Sequence, residues 1–295
     1  MHYCETFEEV ENYWGKDLRY YARRVALDTL SFFSKSERQK RLQEPRIHFL
    51  YFHHIFSDEK TKFDRLVAEL SETHTFISHS EAVERLLTNR IDKPYISWSS
   101  DDGFKNNLDA ASILNKYSSS CCFFVNPFSI GLNDYNEIQK FCDEKLIMPP
   151  IEFMNWQDLK DLLDDGHEIG AHTLEHDAVN KMELNTFKKD LIECKAVLEE
   201  NCGTTIAHFA YPYGKFQNFS KEAYDAVFEA GYTSCSTAVR GCHKTFGKSF
   251  AANELFIRRD QVIAAWNKEH INYFMSNSVK DCEFEDNLLP ASYIL

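Results

Sequence analysis

From Arg46 onward, short runs of β-branched and aromatic residues alternate with amphipathic stretches at helical spacing. That alternation restricts the chain to an α/β fold built from βα units around a parallel sheet. The spacing predicts strands over residues 47–52, 95–99, 121–125, 168–172, 206–211, 233–236 and 255–258. Helical patterns fill the intervals at 62–72, 80–87, 107–117, 156–165, 185–199 and 221–230, the last followed by Gly231 as a C-cap. Strands that return through helices give a sheet that is either open or closed into a barrel. In both, chemistry gathers at the carboxyl ends of the strands.

Residues 6–45 read differently. Phe7, Val10, Tyr13, Leu18, Tyr21, Val25 and Leu30 fall near helical spacing, with Gly15 and Pro45 the only breakers. This predicts a helical N-terminal extension over 1–45 and one large α/β domain over 46–295, for which 295 residues provide an ample core. No internal repeat or flexible linker divides that domain.

The formal net charge of −13 disfavours a nucleic-acid partner, whose phosphates demand Lys and Arg, and an anionic membrane surface. The 9 cysteines are odd in number, contain no C-x-x-C pair and sit in apolar segments such as Cys121-Cys122-Phe123-Phe124-Val125. They read as buried free thiols. Met1-His2-Tyr3-Cys4-Glu5 does not match a signal peptide, and no run approaches the roughly 18 apolar residues of a transmembrane segment. A cytoplasmic protein is the expectation.

Three predicted strand ends carry polar or special residues: Asp101-Asp102-Gly103, His172 with His176, and Tyr211-Pro212-Tyr213-Gly214. Asp-Gly alone is ordinary turn chemistry. Two adjacent carboxylates at the end of an apolar strand repel, however, and a cation is the natural means of keeping both ionised. His172 and His176, spaced i, i+4, put two imidazoles on one side of a helix or tight loop, a separation that suits a single Zn²⁺ or similar ion. One carboxylate and two imidazoles as ligands, with a spare carboxylate as base, are suited to splitting an amide with water. The facial triad of non-haem Fe(II) oxygenases has the same ligand types but places its carboxylate two residues after the first His, whereas Asp102 precedes both histidines. His167 reads as a turn residue and Glu175 as facing outward. Trp98 and Trp156 flank the motif strands and are candidate sugar platforms.

With these residues in view, the chain resembles a polysaccharide deacetylase of the NodB-homology type (carbohydrate esterase family 4). The resemblance runs from about Ile47 to Val262 and is carried by Tyr51-Phe52-His53-His54-Ile55 and by Ser97-Trp98-Ser99-Ser100-Asp101-Asp102-Gly103-Phe104, similar to the family's T-F-D-D-G motif. It continues through Gly166 to His176, similar to H-S/T-x-x-x-H, then Phe209-Ala210-Tyr211-Pro212-Tyr213-Gly214 and Gly231-Tyr232-Thr233-Ser234.

The resemblance implies a distorted (β/α) barrel, related to the TIM barrel, with one divalent metal on Asp102, His172 and His176. Asp101 would be the general base, and a backbone N–H near Tyr213 would complete oxyanion stabilisation. It implies a de-N-acetylase acting on an N-acetylated sugar in a glycan or glycan precursor. The donor set suits Zn²⁺ and would accommodate Co²⁺, Ni²⁺, Mn²⁺ or Fe²⁺. Two departures stand out. The Arg that begins the family's third motif, and orients the base, is Ala210 here, so Arg258 or Arg259 is the substitute cation. The late Leu-x-His motif that supplies a general acid is not recognisable, leaving His270 as the candidate and His243 as a weaker one. Ser100 also replaces the usual aromatic before Asp101. The rivals are a deformylase or other amide or imide hydrolase on the same scaffold, and a non-catalytic glycan-binding barrel. If the distant motifs assemble into one site, elemental analysis should find about one divalent ion per chain, lost in a folded His176→Ala variant.

Overall fold

The computed structural model describes residues 2–32 and 35–290. Residues 1, 33 and 34 of the expected extension and 291–295 of the expected barrel domain lie outside the described residues. Nine strands form one sheet: β1 (Arg46–Phe52), β2 (Thr75–Phe76), β3 (Pro94–Ser100), β4 (Cys121–Val125), β5 (Glu168–Ala171), β6 (His208–Ala210), β7 (Ser234–Ser236), β8 (Phe256–Ile257) and β9 (Arg259–Gln261). The order is β8-β7-β6-β5-β4-β3-β1-β9, with every neighbouring pair parallel and β2 attached to β3 off the main path. The two ends of this path, β8 and β9, are separated in the chain by Arg258 alone. The sheet therefore curls until its ends meet, giving a nearly closed (β/α) barrel. It is distorted because β1 pairs with β3 in full register, Arg46 opposite Pro94 through Phe52 opposite Ser100, leaving β2 outside the ring.

The strands read as near-continuous apolar runs because a parallel sheet is covered on both faces. All seven residues of β1 are buried. Its two polar members are paired: Arg46 donates to the Leu42 and Glu44 carbonyls and to His48 Nδ1. Helices pack around the sheet and start on residues that cap them. Ser78 and Ser220 accept from the third backbone N–H, and Asn155 with Asp158 forms a reciprocal capping box.

Sequence spacing located seven of the nine strands. It missed β2 and β9, because two or three residues hold too few alternations to register. Trp98 is a core residue, fully buried with its ring 5.6 Å from that of Phe63 and 6.4 Å from that of Phe52. Trp156 packs against the same core, and neither ring lines the cavity over Asp101 and Asp102.

The N-terminal segment forms α1 (Phe7–Trp14), α2 (Leu18–Phe32) and α3 (Lys35–Arg41). A Thr6–Glu9 capping box starts α1. Phe7 and Val10 are buried against Phe56 and Phe104, which lie in the loops after β1 and β3, so α1 packs on the carboxyl end of the barrel. The rest of the periodic apolar set faces solvent, with Leu18 88% and Val25 65% exposed. Among the described residues no helix is long and apolar enough to cross a membrane.

Gly170, in β5 two residues before His172, has no room for a side chain. A Cβ there would run into the Phe124 ring and come within 3.2 Å of the His208 carbonyl oxygen. Gly170→Ala should therefore cost about 1–3 kcal/mol in urea denaturation, and a companion Phe124→Leu change should recover part of it.

Candidate active site

Parallel pairing of β1 with β3 aligns Phe52 with Ser100, and the Asp101 N–H donates to the Phe52 carbonyl at 3.2 Å. The residues that leave these strands, His53 from β1 and Asp101 and Asp102 from β3, thus emerge side by side. Asp102 has φ +77° and Gly103 φ +79°. Asp tolerates the left-handed region better than most side chains, and the turn aims its carboxylate back over the barrel. Beyond β5, His172, Thr173 and His176 form a tight loop, with φ +63° at Thr173 and +55° at His176. Asn126 donates to the His172 and Thr173 carbonyls, and Asp190 Oδ2 accepts from the Leu174 N–H at 3.1 Å. Backbone strain held this firmly from both sides is typical of a functional loop.

Asp102, His172 and His176 are all buried, and their ligating atoms lie within 4.8 Å of one another. Asp102 Oδ1 is 3.5 Å from His172 Nε2 and 3.4 Å from His176 Nε2, yet it is a buried oxygen hydrogen-bonded to neither. His172 Nδ1 lies 2.8 Å from the Ala210 carbonyl, which can only accept, so Nδ1 carries the proton and Nε2 turns its lone pair to the centre. An orphaned carboxylate oxygen facing the Nε2 atoms of two imidazoles fits a divalent cation, because neighbouring ligands of an ion bound at about 2.0–2.2 Å stand this close. Burial works against the charged form of Asp102, but His172, His176 and His53 outweigh it and hold the carboxyl below the usual range. Burial dominates at His176, lowering it to about 4 and keeping it neutral, as a ligand must be.

Asp101 points elsewhere. Arg259 donates to it through both ends of the guanidinium, Nη1 to Oδ1 at 2.7 Å and Nη2 to Oδ2 at 2.8 Å. Arg259 is fully buried, donates also to Ser99 Oγ and the Thr237 carbonyl, and lies 4.4 Å over the Tyr51 ring. Burial opposes ionisation of Asp101, yet the guanidinium prevails and lowers its pKa. Arg258 is turned away from Asp101 and pairs with Asp286 at 2.6 Å.

The cavity over these groups has a volume of about 460 Å³. Tyr213 lines it with φ +61°, its ring 5.0 Å from that of His176 and its hydroxyl donating to the Lys145 carbonyl. His270 does not enter it. Its Nε2 lies 2.8 Å from Asp28 Oδ1, because the helix Lys268–Lys280 packs that face against α2. His243 bridges to Asn287 and receives the Arg258 N–H, also away from the cavity. Besides the two candidate ligands, His53 and His54 line the cavity, with Gln261 Nε2 3.5 Å from His53 Nδ1. Burial lowers the His53 pKa, while Asp102 and Asp101 oppose that effect. His53 was visible in the Tyr51–Ile55 motif, but only the β1–β3 register shows what it faces. His54 beside it contacts the fully buried Glu59 at 3.1 Å. Trp14 and Arg23, from α1 and α2, form one wall.

Arg259→Met would leave Asp101 buried without a partner. It should destabilise the fold by about 3–5 kcal/mol in denaturant unfolding, and adding Asp101→Asn should recover much of that loss.

The family model for polysaccharide deacetylase matches residues 88–235, half of the chain. A search of curated proteins finds no match. The fold is similar to the structure of IcaB from Ammonifex degensii, with a TM-score of 0.61 and 18% identity over 81% of this chain and 98% of that one. It is similar also to the Streptococcus pyogenes deacetylase PplD in complex with acetate, TM-score 0.60 and 16% identity over 79% of this chain and 98% of that one. A third, the de-N-acetylase from Aggregatibacter actinomycetemcomitans, matches with a TM-score of 0.58 and 15% identity over 78% of this chain and 100% of that one. This chain belongs to the polysaccharide deacetylase family, the metal-dependent hydrolases that remove N-acetyl groups from carbohydrate.

Proposed function

We propose that this deacetylase divides its chemistry between a ligand set, Asp102, His172 and His176, and a separate base, Asp101. The observation that carries the reading is the Arg259 fork on Asp101 beside the orphaned Asp102 oxygen. Two adjacent carboxylates are held in different environments, so one is free for protons while the other is committed to a cation. Asp102, His172 and His176 would hold a divalent ion, Zn²⁺ by the chemistry of two imidazoles and a carboxylate, which would supply Lewis acidity toward the acyl oxygen and the attacking water. Asp101 takes the proton from that water, kept ionised and oriented by Arg259. The Tyr213 N–H donates to the acyl oxygen as charge develops there. As the C–N bond breaks, His53 passes to the departing amine the proton that Asp101 has taken from the water, the role that the absent Leu-x-His motif would fill.

The N-acetylated sugar sits under the wall formed by Trp14, within a glycan or glycan precursor. We place the reaction in the cytoplasm, because all nine cysteines are free thiols and suit a reducing compartment. We further infer that residues 1–45 form an extension to a barrel domain over 46–295. A purely sugar-binding barrel has no use for a clamped carboxylate beside a ligand set, and nothing in the cavity favours a formyl or cyclic-imide substrate over acetyl.

Asp101→Asn should lower kcat for acetate release by about 10²–10⁴-fold while metal content stays at the wild-type level. His53→Ala should lower kcat with the metal likewise retained. Full activity in Asp101→Asn would overturn this division of labour.

A further inference from the structure

We infer that the amino sugar this site accepts carries a phosphate, held by Arg23, Lys215 and Arg240. This rests on the de-N-acetylase reading and narrows its substrate.

The chain has 46 acidic and 33 basic residues, so an average stretch of its surface is negative. The cavity is the reverse. Among the described residues its only carboxylates are Asp101, neutralised by Arg259, and Asp102, the candidate ligand for a cation. Every other fully charged residue lining it is basic: Arg23 from α2, Lys215 after β6 and Arg240 after β7. Three separate segments thus bring cations to one space. No hydrolytic step uses them, since base, ligand set and proton donor are all accounted for.

Arg240 is built in rather than loosely displayed. Its Nη1 donates to Asp260 Oδ1 at 3.2 Å, and its guanidinium lies 4.0 Å over the Phe274 ring. Asp260 is itself buried and held by Ser278 Oγ at 2.7 Å. One edge of the fork is fixed by these contacts and the other is left for a ligand, the arrangement by which Arg recognises phosphate and carboxylate. Asp260 compensates the charge of Arg240. Arg23 and Lys215 have no ion-pair partner among the described residues, so they provide positive charge in excess. Two uncompensated cations and one oriented fork match a terminal phosphate, or the doubly charged diphosphate of a linked precursor, better than the single charge of a uronate. The size agrees. About 460 Å³, walled on one side by Trp14 and Arg23, is the scale of a cavity for a small molecule rather than an open cleft for a long polymer.

A phosphate on an amino sugar belongs either to a nucleotide-linked or to a lipid-linked precursor. The helix that carries Arg23 also exposes Leu18, Tyr21 and Val25, apolar surface that a lipid-linked phosphate would use and a nucleotide would not.

The test compares N-acetylglucosamine 1-phosphate with N-acetylglucosamine on the metal-loaded enzyme, by calorimetric binding and by acetate release. The expected result is binding of the phosphorylated sugar at least tenfold tighter, weakening with added salt. That advantage should shrink at least tenfold in a folded Arg23→Gln/Lys215→Gln variant, and in Arg240→Lys if it folds. Equal binding of the two sugars, or a preference untouched by the double substitution, overturns the proposal. The second outcome would place the phosphate on the metal alone. Selective binding that depends on Arg23 and Lys215, without acetate from either sugar, would sustain the phosphate site and sink the deacetylase reading instead. UDP-N-acetylglucosamine and farnesyl-diphosphate-linked N-acetylglucosamine as further probes then separate the two sources.

Discussion

The bidentate pair between Arg259 and Asp101 is the interaction on which the site depends. A carboxylate buried in the throat of a barrel would take up a proton rather than remain charged, unless a cation shares the same dry space. Arg259 supplies it from β9, the last strand of the sheet, which pairs with β1 and so stands next to the strand pair that delivers Asp101. Closure of the barrel and activation of the base are therefore one event: without β9 in its place the sheet is open and the carboxylate unpaired. Two further donors of Arg259 are taken up by Ser99 and Thr237, and its flat face by Tyr51, so little freedom is left to the fork.

The orientation of His172 is set by a group that contributes no side-chain identity of its own. The Ala210 carbonyl sets the tautomer of His172, and any residue at that position would do the same. This is why the loss of the family's Arg at 210 leaves the histidine undisturbed and affects only the base, whose cation comes from another strand. Asn126 and Asp190 hold the loop between the two histidines from opposite sides. Burial raises the Asp190 pKa to about 7, a sign of how far from solvent that support lies.

The N-terminal helices alter the meaning of the barrel's open end. By packing Phe7 and Val10 onto the loops after β1 and β3, α1 brings Trp14 to the rim, and α2 follows with Arg23. An acidic protein thereby encloses a basic chamber, an arrangement that net charge alone conceals.

Sequence alone determined the βα alternation, the strand ends at which chemistry would collect, and the residue types of the centre: Asp101 and Asp102 in one turn, His172 and His176 in one loop. These were legible because each depends on neighbours in the chain, through hydrophobic period, turn chemistry or i, i+4 spacing. Tertiary structure decided whatever depends on register across the sheet. It chose Arg259 over Arg258, since adjacent residues on a strand face opposite ways and β9 was too short to reveal its phase. It placed His53 over the carboxylates and sent His270 to Asp28, because proximity in a barrel follows strand order rather than distance along the chain. It buried Trp98 in the core and raised Trp14 to the cavity, which no local pattern encodes.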